Sequence, residues 1–246
     1  MIVELIGCSG AGKTTLARAV VARAPADPPT RMALDLVMDR PWLRRIRQPQ
    51  LVNLLVDAAV LPAFVSGWSD HAELTRVAGD RLRRFAPSTF ARLDYMVNVE
   101  RRVGLQRLTR RRGNGAAILS DEGAVLLAYQ LFVYAEGPYD RADLERFVAL
   151  VPLPDRIVYV RAPLDVLVDR STNRADRRRE LAAGSRAEVE RWIARAHELF
   201  ESLAAVPAIA ERLLVVENGD ITPEERDAVI GRIAAFVEAP SSVGMR

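Results

Sequence analysis

Eight consecutive residues, Gly7-Cys8-Ser9-Gly10-Ala11-Gly12-Lys13-Thr14, match the phosphate-binding pattern G-x-x-x-x-G-K-[ST]. Each fixed position has a physical reason. Glycines let the backbone curl so that successive N–H groups converge on phosphate oxygens, an approach that side chains would block. A helix opening at the end of the loop adds the positive end of its dipole. The Lys13 ammonium can then reach the outer phosphates, and the Thr14 hydroxyl suits Mg²⁺. Cys8 fills a variable position and is assigned no chemistry.

Asp121 is the second candidate. It ends the apolar run Ala116-Ala117-Ile118-Leu119-Ser120, which reads as an internal strand. Parallel strands bring their C-terminal ends to one sheet edge, so Asp121 should face the loop. There it could hold Mg²⁺ through water or take a proton from an acceptor hydroxyl; capping the next helix is the plainer alternative. Glu122 is open between polarising water, contacting an acceptor and capping. The third candidate is an arginine-rich stretch in which Arg170, Arg174 and Arg178 recur at i, i+4 and i+8, with Arg177 and Arg179 alongside. Guanidinium groups closing over a transferring phosphoryl group would stabilise its charge, and the position after the fourth strand favours a lid over a solvated face.

The elements that must position these groups follow from periodicity and breakers. Residues 1–6 read as a buried strand and Thr14 to Ala24 as a helix, ended by Pro25, Pro28 and Pro29. A second strand is expected near Arg31 to Leu36. From Trp42 to about Arg112 the pattern is helical, with turn signals at Pro49, Pro62, Ser66-Gly67 and Pro87. Gly113-Asn114-Gly115 breaks the chain before the Asp121 strand. A helix from Val125 to Tyr134, apolar on nearly all sides, should be deeply buried. Asp140 caps a helix, Arg156 to Val160 is a strand, and Pro163 opens a helix at its first position. Ser185 and Glu188 form a capping box before a long helix. Arg212 to Val216 is a last strand, and Thr222-Pro223-Glu224-Glu225 caps the final helix. Strands alternating with helices imply a three-layer α/β fold: a five-stranded parallel sheet covered on both faces, with a helical insertion at 42–112.

Composition excludes several alternatives. Of 35 basic residues among 246, 34 are arginine and only Lys13 is lysine, so the Asn-Lys-x-Asp motif that reads guanine in many GTPases cannot exist. A formal charge of +3 is too small to imply nucleic-acid binding. The basic run from Arg101-Arg102 to Arg110-Arg111-Arg112 reads mainly as a solvated helix face, with an anionic acceptor or polyanion as the alternative. Lone Cys8 excludes an intrachain disulfide and fits a reducing, cytoplasmic compartment. His71 and His197 lie too far apart in sequence to suggest a Cys/His zinc site. Glu4 and the glycine loop do not form a signal peptide pattern. The apolar segment Leu51 to Trp68 contains Asp57, at a cost of roughly 2.5–3.5 kcal/mol at a bilayer centre, and Pro62. The spacing of Leu51, Leu54, Leu55 and Ala58 predicts a buried helix, and no membrane association is expected.

The order of these pieces resembles P-loop kinases of the thymidylate kinase and deoxynucleoside kinase branch. The phosphate loop, Asp121, the run Pro154-Asp155-Arg156-Ile157-Val158-Tyr159-Val160-Arg161-Ala162-Pro163 and the arginine stretch carry the resemblance. It covers the sheet framework and is weak through 42–112. It implies a single domain over 1–246, with 42–112 on the acceptor side, a lid at about 170–184, and ATP with Mg²⁺ as donor. By position, Gly7, Cys8, Ser9, Gly10, Ala11, Gly12, Lys13, Thr14 and Thr15 would bind the ATP phosphates. Thr14 and Asp121 would hold Mg²⁺, Arg170, Arg174 and Arg178 would form the lid, and Glu217 to Asp220 would pass the adenine. Two departures stand out. Ser9 replaces the acidic loop residue of thymidylate kinases, and Asp121-Glu122-Gly123 lacks the arginine of the family's acidic-arginine pair. Asp35, followed by Asp39, Arg40 and Trp42, falls roughly where nucleoside kinases place an acceptor-contacting carboxylate.

The expected activity is ATP-dependent transfer of the γ-phosphoryl group to a small acceptor. Lys13 would hold the donor, and Asp121 or Asp35 would orient the acceptor. Trp42, Phe64, Trp68, Phe85, Phe90 and Tyr95 offer apolar walls, most of them core. An ATP-hydrolysing switch using Asp121-Glu122 is the runner-up. A kinase acting on a glycan or nucleic acid through Arg101 to Arg112 is a third, less favoured reading. A homodimer is compatible with the sequence.

Overall fold

The computed structural model describes residues 1–25, 29–38, 48–113, 115–173 and 185–239. Five strands, β1 (Ile2–Ile6), β2 (Thr30–Met32), β3 (Ala117–Ser120), β4 (Arg156–Arg161) and β5 (Leu213–Glu217), form one parallel sheet in the order β2-β3-β1-β4-β5. Registers such as Glu4 with Ser120, and Ile6 with Tyr159, set the ends of β1, β3 and β4 along one edge. All five residues of β1 are buried, as a central strand covered on both faces requires. The architecture is the three-layer α/β arrangement expected from the alternating pattern.

Helix α1 (Lys13–Arg23) follows the phosphate loop directly. The expected second strand is shorter than its sequence suggests: β2 ends at Met32, and Ala33–Val37 turns into a short helix, α2, which carries Asp35. The helical insertion contains α3 (Pro49–Val65), α4 (Trp68–Phe85) and α5 (Thr89–Arg112). Pro62 does not interrupt α3 as expected; the break falls at Ser66-Gly67. The expected buried face of α3 is also corrected. Leu51, Leu54 and Ala58 are exposed, and Val56, Val60, Ala63 and Phe64 face inward. Both sides of α3 are apolar, so periodicity could not say which would be covered. Val56, Val60 and Ala63 pack with Leu105 and Leu108 of α5 and Ile118 of β3, a small core that docks the insertion on the sheet. Among the described residues, no single helix is long and apolar enough to cross a membrane.

Arginines in α5 are mostly structural rather than a solvated face. Arg101 makes a bidentate contact with Asp57 of α3, through Nε at 2.5 Å and Nη2 at 2.9 Å. Arg107 binds Asp70 at 2.5 Å, and Arg110 reaches Asp155 and the Leu153 carbonyl. Arg111 and Arg112 are exposed.

After β3 the mostly apolar segment is buried as expected, Gln130 included, but it forms a π-helix at Tyr129–Tyr134 instead of an α-helix from Val125. Arginines serve carbonyls along and just beyond it. Arg81 of α4 donates to Leu131 O at 2.6 Å and Pro138 O at 2.8 Å; Arg195 donates to Phe132 O at 2.8 Å. Charged donors thus satisfy carbonyls that would otherwise be buried without partners. Helices α6 (Arg141–Leu150), α8 (Arg186–Ala204) and α10 (Pro223–Glu238) begin at the expected caps, and Asp140 and Thr222 prove to form capping boxes as Ser185 does. Pro163 is the N-cap of α7 (Leu164–Thr172), one position before the place expected, and a short α9 (Pro207–Ala210) precedes β5.

Candidate functional site

The loop between β1 and α1 is held open by its glycines. Gly12 is left-handed at φ 87°, and a Cβ there would lie 2.4 Å from Asn218 Nδ2. At Gly7 a Cβ would meet the Val160 carbonyl oxygen at 2.4 Å, because the loop leaves β1 against the end of β4. No side chain caps α1 at Gly12 and no acid stands in its first turn. The helix thus brings no acid of its own to its first turn, where the N–H groups and the positive dipole end suit an anion. Lys13 Nζ donates to Gly7 O at 2.7 Å and to Cys8 O at 2.8 Å, so the ammonium lies folded over the loop. Burial pushes the Cys8 thiol up to about 12, which leaves it protonated and unreactive.

Thr14 Oγ1 donates to Asp121 Oδ2 at 2.5 Å, joining the start of α1 to the end of β3. These groups line an open cleft of about 470 Å³ with Ser9, Gly10, Gly12, Lys13 and Thr15. Glu122, Arg170 and Arg226 complete its wall. Thr14 and Asp121 offer only oxygen donors, a set suited to Mg²⁺. Arg170 is inside the cleft wall, but Nη1 donates to Asn218 O at 2.8 Å and Nη2 to Gly219 O at 2.6 Å. It braces the loop after β5. Asp35 is exposed on α2 and is not among the cleft-lining residues. Arg174, Arg177, Arg178, Arg179, Asp39, Arg40, Trp42 and Asn114 lie outside the described residues. Of the aromatic wall candidates, Phe64 and Tyr95 are buried, Phe85 is half-buried, and Trp68 and Phe90 are exposed.

Three further residues hold the site through contacts that the sequence did not disclose. Glu4, buried in β1, accepts from Val125 N at 3.1 Å and Leu126 N at 2.9 Å, just beyond the Asp121-Glu122-Gly123 turn. Burial raises its carboxyl to about 7, opposed by those two N–H groups and by Arg102. Arg102, buried on α5, donates to Gly123 O at 3.2 Å and lies 3.9 Å from Glu122. An arginine does therefore stand at this turn, supplied from the insertion. Asn218 Nδ2 donates to Ala11 O at 2.7 Å, tying the loop after β5 to the phosphate loop. A lone acid within an apolar strand signalled Glu4, since a buried charge requires partners. Arg102 and Asn218 gave no comparable local signal.

Together the parallel sheet, the glycine loop after β1 and the strand-end Asp121 define a P-loop NTPase fold. No family model and no curated protein matches the sequence. Among solved structures, the chain is similar to deoxyadenosine kinase from M. mycoides, solved with dCMP and dCDP. That match has a TM-score of 0.53 and 13% identity, over 96% of this chain and 100% of that one. Thymidylate kinase from Candida albicans follows at TM-score 0.48 and 12% identity, over 96% and 90% of the two chains. Shikimate kinase from Bacteroides thetaiotaomicron gives 0.43 and 14%, over 97% and 99%. At 13% identity the likeness to the deoxyadenosine kinase shows the fold alone.

Proposed function

We propose that the protein is an ATP-dependent kinase that moves the γ-phosphoryl group to a hydroxyl or phosphate of a small acceptor. The observation that carries this reading is the pairing of Thr14 with Asp121 in one cleft with Lys13. The uncapped start of α1 and the Lys13 ammonium would bind the donor phosphates. Thr14 and Asp121 would hold Mg²⁺, which when bound neutralises charge on the phosphate oxygens. Asp121 lines the cleft and is the better placed of the two acceptor-orienting carboxylates; Asp35 stands outside it. Arg174 and Arg178 are retained as lid candidates. Likeness to a deoxyadenosine kinase makes nucleosides and nucleotides the first acceptors to try.

The test incubates the pure protein with ATP, Mg²⁺ and pooled nucleosides, nucleotides and sugars, following ADP and phosphorylated products. Acceptor-stimulated ADP release is expected. ADP release that no acceptor stimulates would favour an ATP-hydrolysing switch. A Lys13→Ala protein turning over at the wild-type rate would sink the site assignment.

A further inference from the structure

Helix α10 buries Val229, Ile230, Ile233 and Val237 on one face. Arg226 falls three residues before Val229 and four before Ile230, so it continues that face by one turn toward the helix start. There the face runs out over the cleft, and Arg226 joins Lys13, Thr15 and Arg170 among the cleft-lining residues. Helix α10 offers its guanidinium no acid. Thr222, Pro223, Val229 and Ile230 hold the positions three and four residues away. Neighbouring acids are turned to other tasks, Glu225 to the Thr222 cap and Asp227 to Arg23 of α1. Among the described residues the Arg226 side chain makes no hydrogen bond or ion pair. The other cations of the cleft differ: Lys13 lies on loop carbonyls, and Arg170 donates to two carbonyls after β5.

Sheet order gives the cleft a direction. Strand β3 lies on one side of β1 and brings Asp121 and Glu122; β4 and β5 lie on the other, and α10 follows β5. The phosphate loop, leaving β1, runs between these two walls. On the kinase reading, on which this inference rests, the Mg²⁺ end of the donor stands beside Asp121. Its nucleoside end then points toward the loop after β5 and the start of α10. We propose that Arg226 binds the α-phosphate of a nucleoside di- or triphosphate, the phosphate that stays on the donor throughout transfer. A guanidinium fork can take two oxygens of one phosphate, which a single ammonium cannot do. Arg226 therefore strengthens the binding of donor and product alike and has no part in the transferring group.

Titration calorimetry of the full chain with ATP and with ADP, each with Mg²⁺, tests this. Arg226→Ala should weaken both about tenfold or more, and by similar factors, as loss of a charge-assisted contact to a shared phosphate requires. Arg226 is exposed, so the ligand-free variant should keep the wild-type circular dichroism and thermal midpoint. Arg226→Lys should recover only part of the affinity, because it restores the charge without the fork. Lys13→Ala is the control for the site itself. Wild-type affinities in Arg226→Ala, with affinity lost in Lys13→Ala, would overturn the proposal and leave the kinase reading standing. A loss confined to ATP would also overturn it, by moving Arg226 to the γ-phosphate. Wild-type ATP affinity in Lys13→Ala would overturn the kinase site, and this proposal with it.

Discussion

Thr14 and Asp121, separated by 107 residues, are joined by a 2.5 Å hydrogen bond from hydroxyl to carboxylate. The bond spans two elements that meet only because β1 and β3 are parallel neighbours ending on the same edge. Two side-chain oxygens are thereby brought together by the sheet, so little ordering would remain if, as proposed, they hold Mg²⁺.

Replacing Asp121 with Asn keeps the side-chain shape and removes its charge. The Mg²⁺ concentration for half-maximal turnover should rise about 10- to 100-fold, in the range seen when a group supporting a metal site is lost. Because Asp121 is only half-buried, the thermal midpoint should barely move. A magnesium titration at saturating ATP checks this, and an unchanged midpoint of that titration would remove Asp121 from the metal site.

Asn218 and Gly12 make one contact between the loop after β5 and the phosphate loop. Asn218→Ala leaves Ala11 O without its buried donor and should lower stability by about 1–3 kcal/mol in urea unfolding. Gly12→Ala should do more, since its Cβ meets Asn218 and φ is 87°. Its nucleotide affinity should fall at least tenfold by titration with a fluorescent ATP analogue.

Glu4 gives the fold a pH dependence of unusual sign. Its carboxyl rises from 4.5 to about 7 on folding, so between those values the folded chain binds more protons than the unfolded one. The Glu4 contribution is therefore most favourable below pH 4.5. It weakens as pH rises towards 7, by roughly 3 kcal/mol in all. Glu4→Gln should flatten the difference in unfolding free energy between pH 5 and pH 8. Wild type and variant showing the same pH slope would refute the assignment.

Arg170 separates bracing from catalysis. With its guanidinium on two carbonyls after β5, Arg170→Ala should raise the KM for ATP severalfold and change kcat less. Arg170→Lys should recover little, because one ammonium cannot reproduce the planar fork. A loss confined to kcat would instead return Arg170 to the transferring phosphoryl group.

Much of this was legible in the residues. The phosphate loop and the helix caps at Asp140, Ser185 and Thr222 are local signals, and each appears at its expected position. Asp121 followed from a strand-end argument that needs only a parallel sheet. Asp35 shows the limit: Arg31 to Leu36 has strand composition, yet pairing with β3 stops at Met32 and the chain coils into α2. Side choice on α3 was illegible because both faces are apolar. The Arg102 and Asn218 contacts depend on residues brought together by folding, which no local spacing encodes. The arginine run of α5 misled for the same reason, its partners Asp57, Asp70 and Asp155 lying far along the chain.

Arg101 and Arg102 are consecutive, yet they serve different places. The first clamps Asp57 on α3, and the second holds the carbonyl of Gly123 two residues beyond Asp121. One turn of α5 is thus a common wall between the outer helix and the cleft. A ligand that steadies the Asp121 turn would therefore also steady the clamp on Asp57, so amide hydrogen exchange in α3 should slow when nucleotide fills the cleft.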